Sequence, residues 1–255
     1  MINNVQRVGN FTSSEIVALM SSDKSGKGFG APALTYISET NMERLLGRSL
    51  TDEVSSRPMS WGTLLEERVF DLLGLNYTYS SKVTDVHPEI SYWAGSKDGT
   101  NEEGEKAVID IKCPITLKSF VGLVLPLYLG YEGIQAMNCI RNGFEENGVQ
   151  YAKHKDGQKY YWQIVSNACI NDMKYGELVV YMPYQSELLE IRKLADGNSA
   201  LYWLNFATED EIPYIKDCGY FKNVNIIRFE IPETDKILLK EAVLKAGKML
   251  IKNAK

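Results

Sequence analysis

A chain of 255 residues with 44% hydrophobic and 24% charged residues has the make-up of an ordinary globular protein, long enough to bury a full core. It carries no apolar run of about 18 residues and no charged-then-apolar leader, so it is expected neither to span a membrane nor to be secreted. The net charge of −5 argues against indiscriminate binding to nucleic acid but is compatible with a local basic channel. Cys113, Cys139, Cys169 and Cys218 are scattered without a C-x-x-C pair, which points to reduced thiols of a cytosolic protein and away from a zinc or disulfide framework.

In chain order, Thr12, Ser13 or Ser14 is placed to cap a helix beginning at Glu15, with Ile16, Val17, Leu19 and Met20 on its buried side. A helix N-terminus with hydroxyls and the nearby Arg7 makes an anion seat, although an ordinary capped helix reads the same way. Ser21 to Ala31 is a Gly-rich polar loop with two lysines. Ala33 to Leu50 reads as a helix, and Arg57-Pro58-Met59-Ser60 introduces a second one over Trp61 to Leu73. At 100° per residue Glu66 lies about 50° from the mean direction of the apolar side chains of that second helix, and Glu67 about 150° away. Glu66 therefore borders the core while Glu67 is solvated. A carboxylate at such an edge calls for a partner, either a metal-bound water or a neighbouring basic residue.

Tyr77 to Trp93 holds short strand-like pieces, and His87, before Pro88, reads as structural. Phe120 to Tyr131 is apolar and continues the core. Asn142 to Lys159 reads as an exposed insertion with His154 at its surface. Tyr160 to Asn171 has helical spacing, with Gln163 as the polar exception near its apolar stripe. Glu177 to Met182 and Asn225 to Ile231 are strands, Ser186 to Lys222 is irregular and aromatic, and Glu233 to Lys252 is a closing amphipathic helix. The simplest organisation is one domain over residues 1–255, with insertions near 122–159 and 186–222.

The most informative stretch is Gly95 to Pro114, GSKDGTNEEGEKAVIDIKCP. Asp98 sits in a tight polar turn, and Asn101-Glu102-Glu103-Gly104 is a hairpin-type connection into the strand that carries Asp110 and Lys112. Side chains alternate along a strand, so Val108, Asp110 and Lys112 share one face while Ile109 and Ile111 take the other. Pairing the two strands brings Asp98 and Asp110 together beside one amine. Like charges so close raise each other's pKa, and a divalent cation relieves them. Oxygen-only ligands select Mg²⁺ or Mn²⁺ over zinc. An acid-x-Lys triplet alone arises by chance about twice in a chain of this length, so the weight rests on its partners.

Four pieces in order, RVGNFTSSE, SWGTLLEE, AGSKDGT and AVIDIKCPITLKSF, resemble the phage lambda exonuclease and YqaJ-like recombinase family of the PD-(D/E)XK nuclease superfamily. The resemblance runs from about Arg7 to Phe120, continues more faintly through YYWQIVSN, and selects Glu66, the residue already marked by helix phase. It implies an α/β fold with a restriction-endonuclease-like core, a mixed central β-sheet flanked by helices. It implies an Mg-dependent 5′-to-3′ exonuclease acting on linear double-stranded DNA and leaving 3′ single-stranded tails for recombination, in the cytoplasm of a bacterial or phage-infected cell.

Carried onto this sequence, the resemblance makes Asp98 and Asp110 carboxylate ligands of one or two Mg²⁺ ions, joined by the backbone carbonyl of Ile111 and assisted by Glu66. Lys112 and Gln163 complete the catalytic set. Arg7, Ser14, Thr116 and Lys118 fall on the positions of a pocket for a terminal 5′ phosphate. Asp110 stands where the lambda enzyme has Glu, an arm shorter by one methylene. The resemblance further suggests a homotrimer around DNA and a single-strand annealing protein as partner, while the two insertions leave the oligomer open. Two other readings share these residues: a restriction-type endonuclease, and a catalytically silent DNA-end-binding protein.

Overall fold

The computed structural model describes residues 6–50, 56–80 and 83–252. Phe11–Thr12 (β1) is followed by a 3₁₀ turn at Ile16–Met20 and by the helices Ala31–Leu46 (α1) and Arg57–Leu73 (α2). Short strands come next at Tyr77–Tyr79 (β2), Asp85–Val86 (β3), Trp93–Gly95 (β4) and Gly99–Asn101 (β5), then the longer Ala107–Lys112 (β6). Helices Leu117–Tyr128 (α3) and Gly133–Asn142 (α4) lead into a hairpin, Phe144–Glu146 (β7) with Val149–Tyr151 (β8), and into the helix Gly157–Ile170 (α5). Tyr175–Tyr181 (β9), Leu188–Ala195 (α6), Val224–Glu230 (β10) and Glu233–Gly247 (α7) complete the order.

The central sheet is mixed, as expected, with strand order β10-β9-β6-β5-β2 among the described residues. β6 and β9 run parallel with Asp110 opposite Leu178, and the remaining neighbours are antiparallel. A parallel pair needs a long crossover, and α3, α4 and α5 supply it. Both central strands are apolar almost throughout because helices cover both faces. On one side Val108, Leu178 and Val180 pack with Tyr161 and Val165 of α5 and Leu239 of α7. On the other, Ile109, Ile111, Val179 and Tyr181 pack with Trp61, Leu65 and Val69 of α2. The alternation read along β6 is thus realised, with Asp110 and Lys112 on the α5 side.

Several boundaries differ from expectation for local reasons. The helix anticipated from Glu15 is only a 3₁₀ turn without a side-chain cap, because Thr12 is drawn into β1, paired with Ala94, and Ser13 turns inward to Ser166. The anion seat of a helix N-terminus is therefore not built there. α1 stops at Leu46, where Gly47 adopts φ +66° and closes it in the left-handed conformation. α2 starts earlier, at Arg57, with Pro58 in its first turn, where proline costs no hydrogen bond. α7 ends at Gly247 instead of Lys252; the chain beyond it turns back to Asn41, which bonds Met249 and Ile251.

The two segments read as insertions are more structured than expected. Residues 142–159 contain the β7–β8 hairpin, and His154 is buried, with Nε2 on the Ser119 hydroxyl at 2.8 Å, instead of lying at the surface. Residues 186–222 form α6 and several 3₁₀ turns whose Leu188, Ile191, Leu201, Leu204 and Ile212 cover the α2 side of the sheet. Arg68 of α2 ties that cover down through Glu187 at 2.8 Å and Glu190 at 2.7 Å. His87 is structural, stacked on Trp93 at 4.9 Å. The four cysteines are free, and among the described residues no helix is long and apolar enough to cross a membrane.

Two glycines give opposite expectations. A Cβ at Gly99 would stand 2.4 Å from the Thr78 carbonyl oxygen and 2.4 Å from the Phe70 ring, whereas one at Gly62 of α2 meets nothing. Gly99→Ala should lower unfolding stability in urea by about 1–3 kcal/mol, and Gly62→Ala should raise it by about 0.5–1 kcal/mol. Equal effects of the two substitutions would contradict this packing.

Candidate active site

The site begins with backbone pairing. β5 and β6 are antiparallel with Gly99 opposite Ile109, so Asp98 lies one residue beyond the paired stretch, near the end of β6. Its amide donates to the Ile109 carbonyl at 3.1 Å, and its Oδ2 accepts from the Ile111 amide at 2.6 Å. The hairpin thus ends on a side chain, and that bond aims the Asp98 carboxylate at the Asp110–Lys112 strand. Asp110 is 1% exposed. Its Oδ2 lies 2.7 Å from Lys112 Nζ, and its Oδ1 accepts from Gln163 Nε2 at 2.7 Å. Gln163 comes from α5 and Glu66 from α2, the layers on opposite faces of the sheet. Glu66 is half-buried and Glu67 exposed, as helix phase requires.

The electrostatics follow from burying three acids near one amine. Burial, then Asp110, with Glu66 adding, push the Asp98 carboxyl up to about 8 against the opposing pull of Lys112 and the Ile111 amide. Burial raises Asp110 as well, although Lys112 and Lys159 oppose the shift. For Lys112 burial works toward deprotonation, but Asp110 and Asp98 outweigh it and keep the ammonium. Burial and then Glu66 push the Cys113 thiol up, so this neighbour of Lys112 is no nucleophile.

Such a set suits a hard cation. Its donors are oxygens, and the raised Asp98 carboxyl is a charge demand that a divalent ion would meet. Among the described residues no three His, Cys, Asp or Glu side chains gather into a cluster able to hold a metal. Asp98 and Asp110 are therefore the candidate side-chain ligands with the Ile111 carbonyl as a third oxygen, and Glu66 contributes charge from beside them without completing a three-carboxylate cage.

The four residues assigned to a phosphate pocket come as two pairs. Arg7 donates to the Ser14 hydroxyl at 3.1 Å, with the Thr12 hydroxyl 3.3 Å beyond. Thr116 caps α3 by accepting from the Ser119 amide at 3.2 Å, and Lys118 lies exposed in the first turn of that helix. Sequence reasoning passed over Lys159 and Tyr160. Lys159 Nζ bonds Glu15 at 2.9 Å, next to Ser14, and its charge is felt at Asp110. Lys112 Nζ stands 5.0 Å from the centre of the Tyr160 ring. Spacing held the signal, since residues three and four before Gln163 share its side of a helix.

No protein-family model matches this sequence, and no curated protein matches it. Solved structures do. The phage-related exonuclease from Haemophilus somnus 129PT superposes with a TM-score of 0.57 over 94% of this chain and 92% of that one, at 13% identity. The alkaline exonuclease LHK-Exo from Laribacter hongkongensis gives 0.53 over 95% and 89%, at 15% identity. LHK-Exo in complex with dAMP gives 0.54 over 96% and 90%, at 17% identity. The chain has the fold of these exonucleases. That fold is of the restriction-endonuclease-like kind, in agreement with the mixed sheet and its flanking helices. At these identities the likeness is one of fold, and the chemistry rests on the side chains above.

The raised Asp98 carboxyl has a measurable consequence. Its folded value, about 8, lies above the ordinary aspartate value of 3.8, so the folded chain holds one more proton than the unfolded chain between those limits. Stability of the metal-free protein should therefore fall as pH rises through that window. Asp98→Asn keeps an acceptor for the Ile111 amide and removes the charge. In metal-free buffer its melting temperature should exceed that of wild type by a margin that widens from pH 5 to pH 8; a constant margin would contradict the charge burial.

Proposed function

We propose that this chain is a DNA exonuclease that hydrolyses linear duplex from the 5′ end and leaves a 3′ single-stranded tail for recombination. The observation that carries the reading is the convergence of Asp98, Asp110, Lys112 and Gln163, with Glu66 alongside, at one end of the central sheet. The fold shared with proteins described as exonucleases supports it.

Held by Asp98, Asp110 and the Ile111 carbonyl, one or two Mg²⁺ ions, or Mn²⁺, would supply Lewis-acid polarisation of the phosphoryl oxygen and lower the pKa of water. The chain's own residues divide the remaining work. Lys112, kept protonated by its two aspartates, places positive charge where the transition state gathers negative charge. Gln163 fixes one oxygen of Asp110 through its amide and leaves the carboxylate only small freedom to rotate. Glu66 adds negative charge on the Asp98 side, favouring cation occupancy.

Arg7 with Ser14, and Thr116 with Lys118, would receive the terminal 5′ phosphate and so select the bond presented to the carboxylates. Arg7 supplies a planar fork suited to phosphate oxygens. A homotrimer around the duplex and a single-strand annealing protein acting on the tail belong to the same reading, as does a cytoplasmic location.

The test is nucleotide release from 5′-phosphorylated linear duplex with Mg²⁺. Asp110→Ala and Lys112→Ala should each lower the rate by a factor on the order of 10³, and chelation should stop it. Equal release by all three proteins would remove the site from the reaction. Closed circular DNA should stay intact; its linearisation would favour an endonuclease, and end binding without release an inactive adaptor. Arg7→Ala should reduce the preference for phosphorylated over hydroxyl ends by about tenfold while leaving both ends cleavable.

A further inference from the structure

Lys112 pairs with Asp110, and that ion pair does not by itself determine where the ammonium points. A lysine has a flexible four-carbon stem, and a cation drawn to Asp110 competes for the same oxygen. Something else has to hold the ammonium near the reacting phosphate. Besides Asp110 and Asp98, the ammonium faces the Tyr160 ring, whose centre is 5.0 Å from Nζ, within the range where a ring attracts a cation. Tyr160 and Gln163 stand three residues apart on α5. One helical face therefore meets Asp110 with an amide and Lys112 with a ring.

That ring is itself braced. His154 lies 5.8 Å from it, tilted by 30°. His154 Nδ1 accepts from the Asp156 amide at 3.2 Å, which assigns the ring proton to Nε2 as donor to the Ser119 hydroxyl at 2.8 Å. Gly122 leaves room for the imidazole against α3, since a Cβ there would meet His154 Cδ2 at 3.3 Å. Ser119 is in the first turn of α3, directly after Thr116 and Lys118. A continuous set of contacts thus runs from the start of α3 through His154 and Tyr160 to Lys112.

We infer that Tyr160 is a positioning residue: the face of its ring, backed by His154 and Ser119, aims the Lys112 ammonium at the reacting phosphate. The inference rests on the nuclease reading above. It requires the ring and not the hydroxyl. Tyr160→Phe keeps the ring, and Tyr160→Leu removes it with little loss of bulk at the helix face.

The experiment pairs steady-state kinetics on 5′-phosphorylated duplex with NMR of protein labelled at lysine Cε. Tyr160→Leu should lower kcat about tenfold with KM within about twofold, whereas Tyr160→Phe should retain wild-type kcat. In the metal-free wild type the Lys112 ε-methylene protons should be shifted upfield by the ring current, and this shift should survive in the Phe variant and vanish in the Leu variant. Wild-type kcat in Tyr160→Leu, or equal losses in both variants, would overturn the inference. So would a Lys112 ε-methylene at its solvent-exposed position in wild type, a measurement that holds even if the Leu variant does not fold. A wild type that releases no nucleotide while showing the ring-current shift would instead overturn the nuclease reading and leave the contact standing.

Discussion

The antiparallel register that sets Gly99 opposite Ile109 is the constraint on which the site depends. It leaves Asp98 just past the last strand pair, where the carboxylate accepts the Ile111 amide and faces the acid and amine of β6. A slip by one residue would send Asp110 and Lys112 to the α2 side, among Trp61, Leu65 and Val69, and expose Ile109 and Ile111 to α5. The register is held because that exchange would carry the Asp110–Lys112 pair away from Gln163 into an apolar layer. Apolar packing on both faces of β6 thus specifies the polar site as firmly as the polar contacts do.

Helix α5 is the second support. Tyr160, Gln163, Asn167 and Asn171 recur at helical spacing, and each meets a polar or charged group of the Gly95–Lys112 segment. The ring faces Lys112, Gln163 bonds Asp110, Asn167 bonds the Ser96 carbonyl at 3.2 Å, and Asn171 accepts from Lys97 at 2.8 Å. This polar stripe lies beside a buried apolar one of Tyr161, Ile164, Val165 and Ala168. The apolar stripe anchors the helix in the core, and the polar stripe meets the strand end that carries the acids. A buried polar network is stable only when its members find partners, so the two stripes must be in phase with the sheet.

The cost of crowding acids in one place falls on Asp98 and Asp110, whose carboxyls burial pushes up. That of Asp98 is pushed to about 8 by burial and by Asp110, so the site in its metal-free form is under electrostatic strain. The 186–222 segment closes the second apolar layer over α2, the helix that carries Glu66.

Much of this was legible in the sequence because it depends on short-range periodicity. The period of two in Val108-Ile109-Asp110-Ile111-Lys112 determined which residues share a face, helix phase separated Glu66 from Glu67, and turn residues marked the hairpin that brings Asp98 to Asp110. What only the tertiary structure decided involves partners distant in sequence. Thr12 left a prospective helix cap for a parallel pairing with Ala94, an energy that local propensity does not contain. His154 sits in a polar stretch rich in lysine, yet it is buried because Gly122 and Ser119 of α3 make a place for it. The aromatic run at 202–221 has no periodicity of its own, since its members pack on different partners, Trp203 and Tyr214 on the α2 side and Phe221 against Phe120 and Tyr128 of α3. The sequence by itself determined which candidate groups lie together on one side of a strand or helix; the packing of α3 and α5 against the sheet decided how they are held, because contacts across more than 30 residues are set by the shape of the assembled core and by no local rule.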